Sequence, residues 1–403
     1  MVSMPVPRRL VLAAALSAAT LSVVPGGALL AQAPASVAPS ALPLLSGTDL
    51  RYLGTFRLPD EDSRKITLHY GGHALGMAAD GQSMYYGCVY SGGAARVSIP
   101  EIGGRAEILE PCRGVPNLKA LDDSDPNPKV LGGILAWNGR LIVSGYATYD
   151  AGHNVTKSHW AGETLGTAEG PYTVGGEEPG LVAGYMTLVP EEWRALFGGP
   201  ALTGQCCISI ISRSSYGPSV SVFDPDEIGV KRKASAKMLV GYPDDHQTLG
   251  PYDRPNRYFS SVVQMGGIAF PSGTRSVLFI GRHGTGYCYG EGTKDPALHY
   301  TPHPQGTWWC YDPTNGDKGP HGYPYRHFVW AYDANDLVLV KQGRKAPWSL
   351  TPYATWSLHE MSAGTGNAWI NGAVYDATRR RIYVVPTNDP IVHVYEVKTP
   401  SVR

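Results

Sequence analysis

The chain has 403 residues, with 34 Lys and Arg against 34 Asp and Glu, so it carries no formal net charge. It has no basic stripe and no long run of like charge, which excludes the electrostatic footprint of a nucleic-acid or anionic-membrane binder. Glycine (49), proline (33) and tyrosine (24) are abundant and helical stripes are scarce, a balance that describes many short strands joined by turns.

In chain order, residues 1–33 read as an export signal: Arg8 and Arg9, an apolar run LVLAAALSAATLSVV, then small residues with a cut after Ala33. The apolar run is too short to span a bilayer, so no membrane span is expected after cleavage and the mature protein is expected to be secreted or periplasmic. Residues 34–47 form an Ala/Pro/Ser linker. A single domain is expected over 48–400, about 355 residues in all.

Six phrases share one logic: a short apolar strand, a turn rich in Asp, Asn, Gly or Pro, and usually a return strand. They cover 71–88, 132–146, 217–229, 266–290, 327–340 and 371–385, and their starts lie 44 to 85 residues apart. The clearest, GGIAFPSGTRSVLFIGRHGTGYCYG, is a hairpin whose turn follows from Pro271, which presets its φ, and Gly273, which tolerates a positive one. Hairpins repeating at this spacing without intervening helices predict an all-β fold, a β-propeller of six or seven four-stranded blades. One helix is expected, PEEWRALFG at 190–198, read as an insertion on a blade loop. A lone strand at 50–59 and another at 390–397 predict that the N- and C-terminal strands close the ring, since an open edge would expose unpaired backbone groups. A pair of β-sandwiches is the alternative architecture.

Six cysteines in an exported chain suit disulfides. Cys288 with Cys310 and Cys88 with Cys112 are the expected pairs. Adjacent Cys206 and Cys207 are either a vicinal bridge or two free thiols. No cofactor is expected; a structural Ca2+ is the one metal left open.

There is no GxSxG elbow, HExxH, Walker loop or GxGxxG after a strand, so the usual signatures of hydrolases, metalloproteases and nucleotide binders are missing. The loops beside the glycine-opened strands carry His, Tyr and Arg. His73, Tyr149, His159 and His283 are candidate acid-base residues; Arg213, Arg282, Arg326, Tyr70 and Tyr289 are candidate substrate contacts. In a propeller such loops converge at one end of the central channel. His and Tyr can move protons while Arg neutralises a carboxylate, a set suited to β-elimination at a uronic acid. Trp160, Trp308, Trp309 and Trp330 serve either as sugar platforms or as blade core. Acids such as Asp150, Glu163, Glu177 and Glu178, which hydrolysis would need, sit in no distinctive setting.

The signal, the glycine-opened blades and the His/Tyr/Arg loops resemble exported bacterial β-propeller proteins, among them the propeller polysaccharide lyases that cleave ulvan and related rhamnose-glucuronate polymers. The resemblance implies a monomeric enzyme acting on a polysaccharide or oligosaccharide. The alternative is a non-catalytic propeller that binds glycan at the cell envelope, with a glycoside hydrolase or a quinone-dependent dehydrogenase as weaker readings.

Overall fold

The computed structural model describes residues 37–398 and 400, apart from 89–91, 123–127, 151, 177, 207–214, 244–245 and 362–365. The expected export signal falls outside the described residues, and all that follows concerns the unit Ala38–Arg403.

Five four-stranded antiparallel blades follow one another along the described chain; the first strands of two of them join through a parallel pair, Gly267 with Ala373, and the two-residue strand Lys233–Ala234 adds in parallel to the outer strand Glu169–Val174 of another. Blade 1 is Gly76–Met77, Ser83–Cys88, Gly93–Ser98 and Ile108–Gly114; blade 2 is Lys129–Trp137, Arg140–Ala147, His159–Gly162 and Glu169–Val174. Blade 3 is Met186–Leu188, Ala201–Gly204, Val220–Phe223 and Ala236–Val240; blade 4 is Gln264–Ala269, Ser276–Gly284, Tyr325–Asp333 and Ala354–Ser357. Blade 5 takes three strands from the C-terminal side, Ile370–Asp376, Arg381–Pro386 and Ile391–Val397, and its fourth from the N-terminal side, Leu50–Arg57. The first strands of successive blades touch around a ring, and blade 5 meets blade 1. This is a β-propeller, and the ring closes as the terminal strands predict: Leu50 pairs with Val397 and Arg57 with Ile391.

The blades among the described residues number five, not six or seven. Four of the six hairpin phrases do open a blade. The phrases at 217 and 327 instead fall on third strands, Val220–Phe223 and Tyr325–Asp333. The return strand expected after 333 is the helix Ala334–Lys341, because the Asp333 side chain accepts a bond from the Asn335 N–H and caps it. The opening hairpin of blade 3 escapes the pattern because the expected helix, Glu191–Phe197, fills its turn.

The glycines that open the phrases are explained by crowding at the ring's centre. A Cβ on Gly132 would lie 1.9 Å from the Ala183 carbonyl oxygen, and one on Gly267 would lie 2.3 Å from that of Ala373. Only glycine lets the innermost strands come this close.

The core lies between blades. Trp193, Phe197, Phe270, Phe279, Trp330 and Tyr332 pack together where blades 3 and 4 meet. Phe56, Met84, Tyr86, Tyr383 and Val394 do the same between blades 5 and 1. Burying one such ring contributes roughly 1.5–3 kcal/mol. Trp160 and Trp330 are wholly buried, so these two are core.

Between the second and third strands of blade 4 the chain makes a separate three-stranded sheet, Cys288–Thr293, Trp308–Tyr311 and Lys318–His321. The Cys288–Cys310 disulfide ties it, and Cys88–Cys112 braces blade 1. Cys206 is disulfide-bonded, and Cys207 lies outside the described residues. No helix among the described residues is long and apolar enough to cross a membrane.

Candidate functional site

All five innermost strands run the same way, so their first residues meet at one mouth of the ring and their last at the other. At the strand-start mouth lies a cavity of about 180 Å³ lined from every blade. His73 comes from the entry to blade 1, Tyr146 from blade 2, Tyr185 and Gln205 from blade 3, Gln264 from blade 4, and Trp369 and Asn371 from blade 5.

Two amides are fixed by the backbone. The Gln264 amide nitrogen donates to the carbonyls of Met265 and Ile370, at 3.1 and 3.0 Å, and that of Asn371 to those of Tyr70 and Gly71, at 3.0 and 2.7 Å. Flipping either amide would set oxygen against oxygen, so the remaining oxygen is the free atom. Gln264 is 6% exposed and Gln205 is 2% exposed. Among the described residues the side-chain oxygens of both are buried without a hydrogen-bond partner, and a buried orphan acceptor is costly unless something donates to it.

The titratable lining is uncharged at neutral pH. Burial lowers the His73 imidazole to about 4 and raises the Tyr146 phenol to about 12. Neither side chain bonds to another described residue. Tyr185 differs: burial raises it too, but its hydroxyl donates to the Ser219 carbonyl at 2.7 Å. No Asp or Glu is among the described residues that line the cavity.

Behind Trp369 lies a buried cation. The Arg282 guanidinium sits 3.7 Å from the centre of the Trp369 ring and 4.8 Å from that of Tyr325. Its nitrogens donate to the carbonyls of Val262 and Asn367, and burial lowers its pKa to about 10. The Tyr325 hydroxyl donates in turn to Asp312, which also accepts from His321 Nδ1 at 2.9 Å. Burial works against the Asp312 carboxylate, but the bonds from His321, Tyr325 and Thr314 hold it down at about 2. Burial likewise opposes the His321 charge, and Asp312 overrides it and raises that pKa. Asp312 and His321 belong to the disulfide-tied sheet, so this network locks that sheet to the wall of the cavity.

Of the residues singled out in the sequence, His73 lines the cavity and Arg282 backs it. His159 does not reach it. Its ring is wholly buried between blades 2 and 3, bonded to the Ser158 and Thr203 hydroxyls. His283 is likewise internal. Its Nε2 donates to the Asn256 carbonyl at 2.7 Å, Nδ1 lies 3.0 Å from the Ser260 hydroxyl, and the ring packs on Phe328. Tyr149 is 46% exposed outside the lining, Tyr70 is 51% exposed and contributes its backbone carbonyl to Asn371, and Tyr289 is 44% exposed on the extra sheet. Arg326 faces a separate groove with Arg257 and Tyr353. Arg213 and Glu177 lie outside the described residues. Asp150 accepts from the backbone of Asn154 and Val155, a loop-bracing role.

Sequence reasoning passed over Tyr185, Gln205, Gln264, Trp369 and Asn371. The usable signal was position: Gln264 sits just before the Gly266-Gly267 pair, and Asn371 starts the NGAVY phrase.

A β-propeller with a polar cavity at one mouth, free of carboxylates among the described residues, is thus the class that fold and site define. No protein-family model matches the chain, and no curated protein matches it either. Among solved structures it is similar to a glycosyl hydrolase from Bacteroides ovatus, at 12% identity and a TM-score of 0.44, over 90% of this chain and 93% of that one. It is also similar to a GH130-family glycoside hydrolase that targets β-1,2-mannosidic linkages in Candida mannan (10%, 0.43, 82% and 85%). A third is the GH43 endo-arabinanase of Bacillus licheniformis (11%, 0.40, 81% and 92%). Likenesses this distant carry no argument about activity, so the function rests on the cavity itself.

Proposed function

We propose that the chain is an exported carbohydrate-active enzyme, a polysaccharide lyase that cleaves a uronic-acid-containing glycan by β-elimination in the strand-start cavity. One observation carries this reading: a neutral imidazole and a protonated phenol, both without hydrogen-bond partners among the described residues, share a cavity whose described lining holds no carboxylate. In the elimination, His73 takes the proton next to the uronate carboxyl. The electron pair forms the new double bond, the glycosidic C–O bond breaks, and Tyr146 donates its proton to the departing oxygen. No water enters this step, whereas hydrolysis requires a pair of carboxylates across the bond. The orphan oxygens of Gln205 and Gln264 accept from sugar hydroxyls, and the Arg282 charge behind Trp369 favours an anionic sugar. The two disulfides support an oxidising compartment.

A second reading, glycan binding without turnover, is favoured by one feature. Values of about 4 and about 12 lie far from neutral pH, whereas proton-transfer groups are usually tuned near it.

The test is incubation with a panel of uronate-containing and neutral polysaccharides. Growth of the short-wavelength ultraviolet absorbance of an unsaturated uronate supports the lyase. New reducing ends without that absorbance identify a hydrolase. Retardation in affinity electrophoresis without products identifies a binding protein.

A further inference from the structure

The other mouth of the ring, where the innermost strands end, holds a larger cavity of about 560 Å³. Its walls also come from all five blades: Met77, Leu135, Met186, Phe270 and Val374 are the apolar contributors, with Trp137 among the lining residues. That is the size and character of a small-molecule site.

The charged groups around it are already paired within the protein. Glu192 accepts from the Gly273 N–H at 2.7 Å, and Arg194 pairs with Glu191 and bonds the Val189 carbonyl. Asp376 is taken by the backbone N–H groups of Thr378 and Arg379 and by the Arg379 side chain. The Trp137 indole N–H is spent on Asp226 at 2.9 Å, which fixes the ring. One lining group is different. Among the described residues the Tyr375 hydroxyl is buried without a hydrogen bond of ordinary length and angle, although Ser272 lies close enough to ease the rise that burial causes in its pKa.

From this we infer a second ligand site at the strand-end mouth, taking an uncharged, largely apolar molecule, aromatic or alicyclic, with one polar group to meet Tyr375. Among the described lining residues an anion finds no unpaired cation, and a polyhydroxylated sugar would leave many of its hydroxyls against apolar walls. The two mouths therefore take different chemical classes, and this inference does not depend on the lyase reading.

The test is calorimetric titration of the full chain with 1-naphthol, which is uncharged with one hydroxyl, and with 1-naphthoate, the same ring carrying a carboxylate. The expected result is one saturable site for 1-naphthol and at least tenfold weaker binding of 1-naphthoate. Tyr375→Phe, which keeps the packing, should weaken 1-naphthol about five- to tenfold. Ala136→Trp, which fills the pit from its rim, should abolish binding, and His73→Ala should leave it unchanged. Absence of saturable binding overturns the proposal. So does binding that survives both pit variants, or binding lost on His73→Ala, which would move the ligand to the other cavity.

Discussion

The two mouths of the ring are built from the same five strands and differ in what the chain does there. At the strand-start mouth the innermost strands begin with backbones pressed together, and side chains such as Gln264 and Asn371 spend their amide nitrogens on neighbouring carbonyls. The Gln264 oxygen is left buried without a partner among the described residues. At the strand-end mouth tight hairpins and the helix Glu191–Phe197 satisfy the backbone locally, and the lining is mostly apolar, with Glu192, Arg194 and Asp376 already paired and one phenol without a partner among the described residues. Polarity in this channel is thus set by where backbone groups find their partners, not by the mean hydropathy of the strands.

The largest effect expected on that contrast is His73→Ala. It should lower turnover by 10² to 10⁴ while the melting temperature stays within a few degrees, because the ring has no hydrogen-bond partner among the described residues to lose. His283→Ala should do the reverse, costing stability by leaving Asn256 and Ser260 without their bonds. Equal melting losses in the two variants would refute the division into a site histidine and a core histidine.

Next in size is Asp312→Asn. Asp312 and His321 are almost fully buried, and breaking such a pair typically costs about 3–5 kcal/mol. The pH dependence sharpens this. The His321 pKa is raised when folded, so its contribution is complete below the unfolded imidazole value and is lost as pH rises through the folded one. The Asp312 pKa is lowered, so its contribution is present above the unfolded carboxylate value and is lost as pH falls toward about 2. The stability difference between wild type and Asp312→Asn should therefore be widest between roughly pH 4 and 6.5. A difference flat with pH in denaturant titrations would remove the ion pair from the account.

A smaller loss is expected on replacing Cys288 and Cys310 together by Ser, about 3 kcal/mol for a loop of this length in the chain-entropy model. If the extra sheet shapes the strand-start mouth, glycan binding should weaken in this variant while 1-naphthol binding stays. The smallest expected effect is Arg326→Ala, which should change neither glycan turnover nor melting. A marked loss of turnover would relocate the substrate to the groove beside Tyr353.

Strand type and closure were legible in the sequence because hairpin chemistry is local: Pro271 and Gly273 define their turn wherever it sits. Blade count was not. Val220–Phe223 resembles an opening strand in composition, and the hairpin turn of blade 3 is occupied by a helix. Among the site residues, His73, His159 and His283 all flank apolar strands and look alike as text. They separate only once sheet packing decides which side chains face the channel and which face the next blade. Gln264 and Asn371 carry no motif, because their role comes from two carbonyls supplied by segments far away in the chain.

Pairing Leu50–Arg57 with Ile391–Val397 also fixes an order of events. Leu50–Arg57 has no partner until Ile391–Val397 has been made, so the ring cannot be completed before then, and its closure depends on the meeting of segments more than 330 residues apart, the kind of contact that forms slowly. A truncation that removed only the final strand would leave two sheet edges bare, one at each side of the gap. The chain is thereby proofread for completeness by its own geometry.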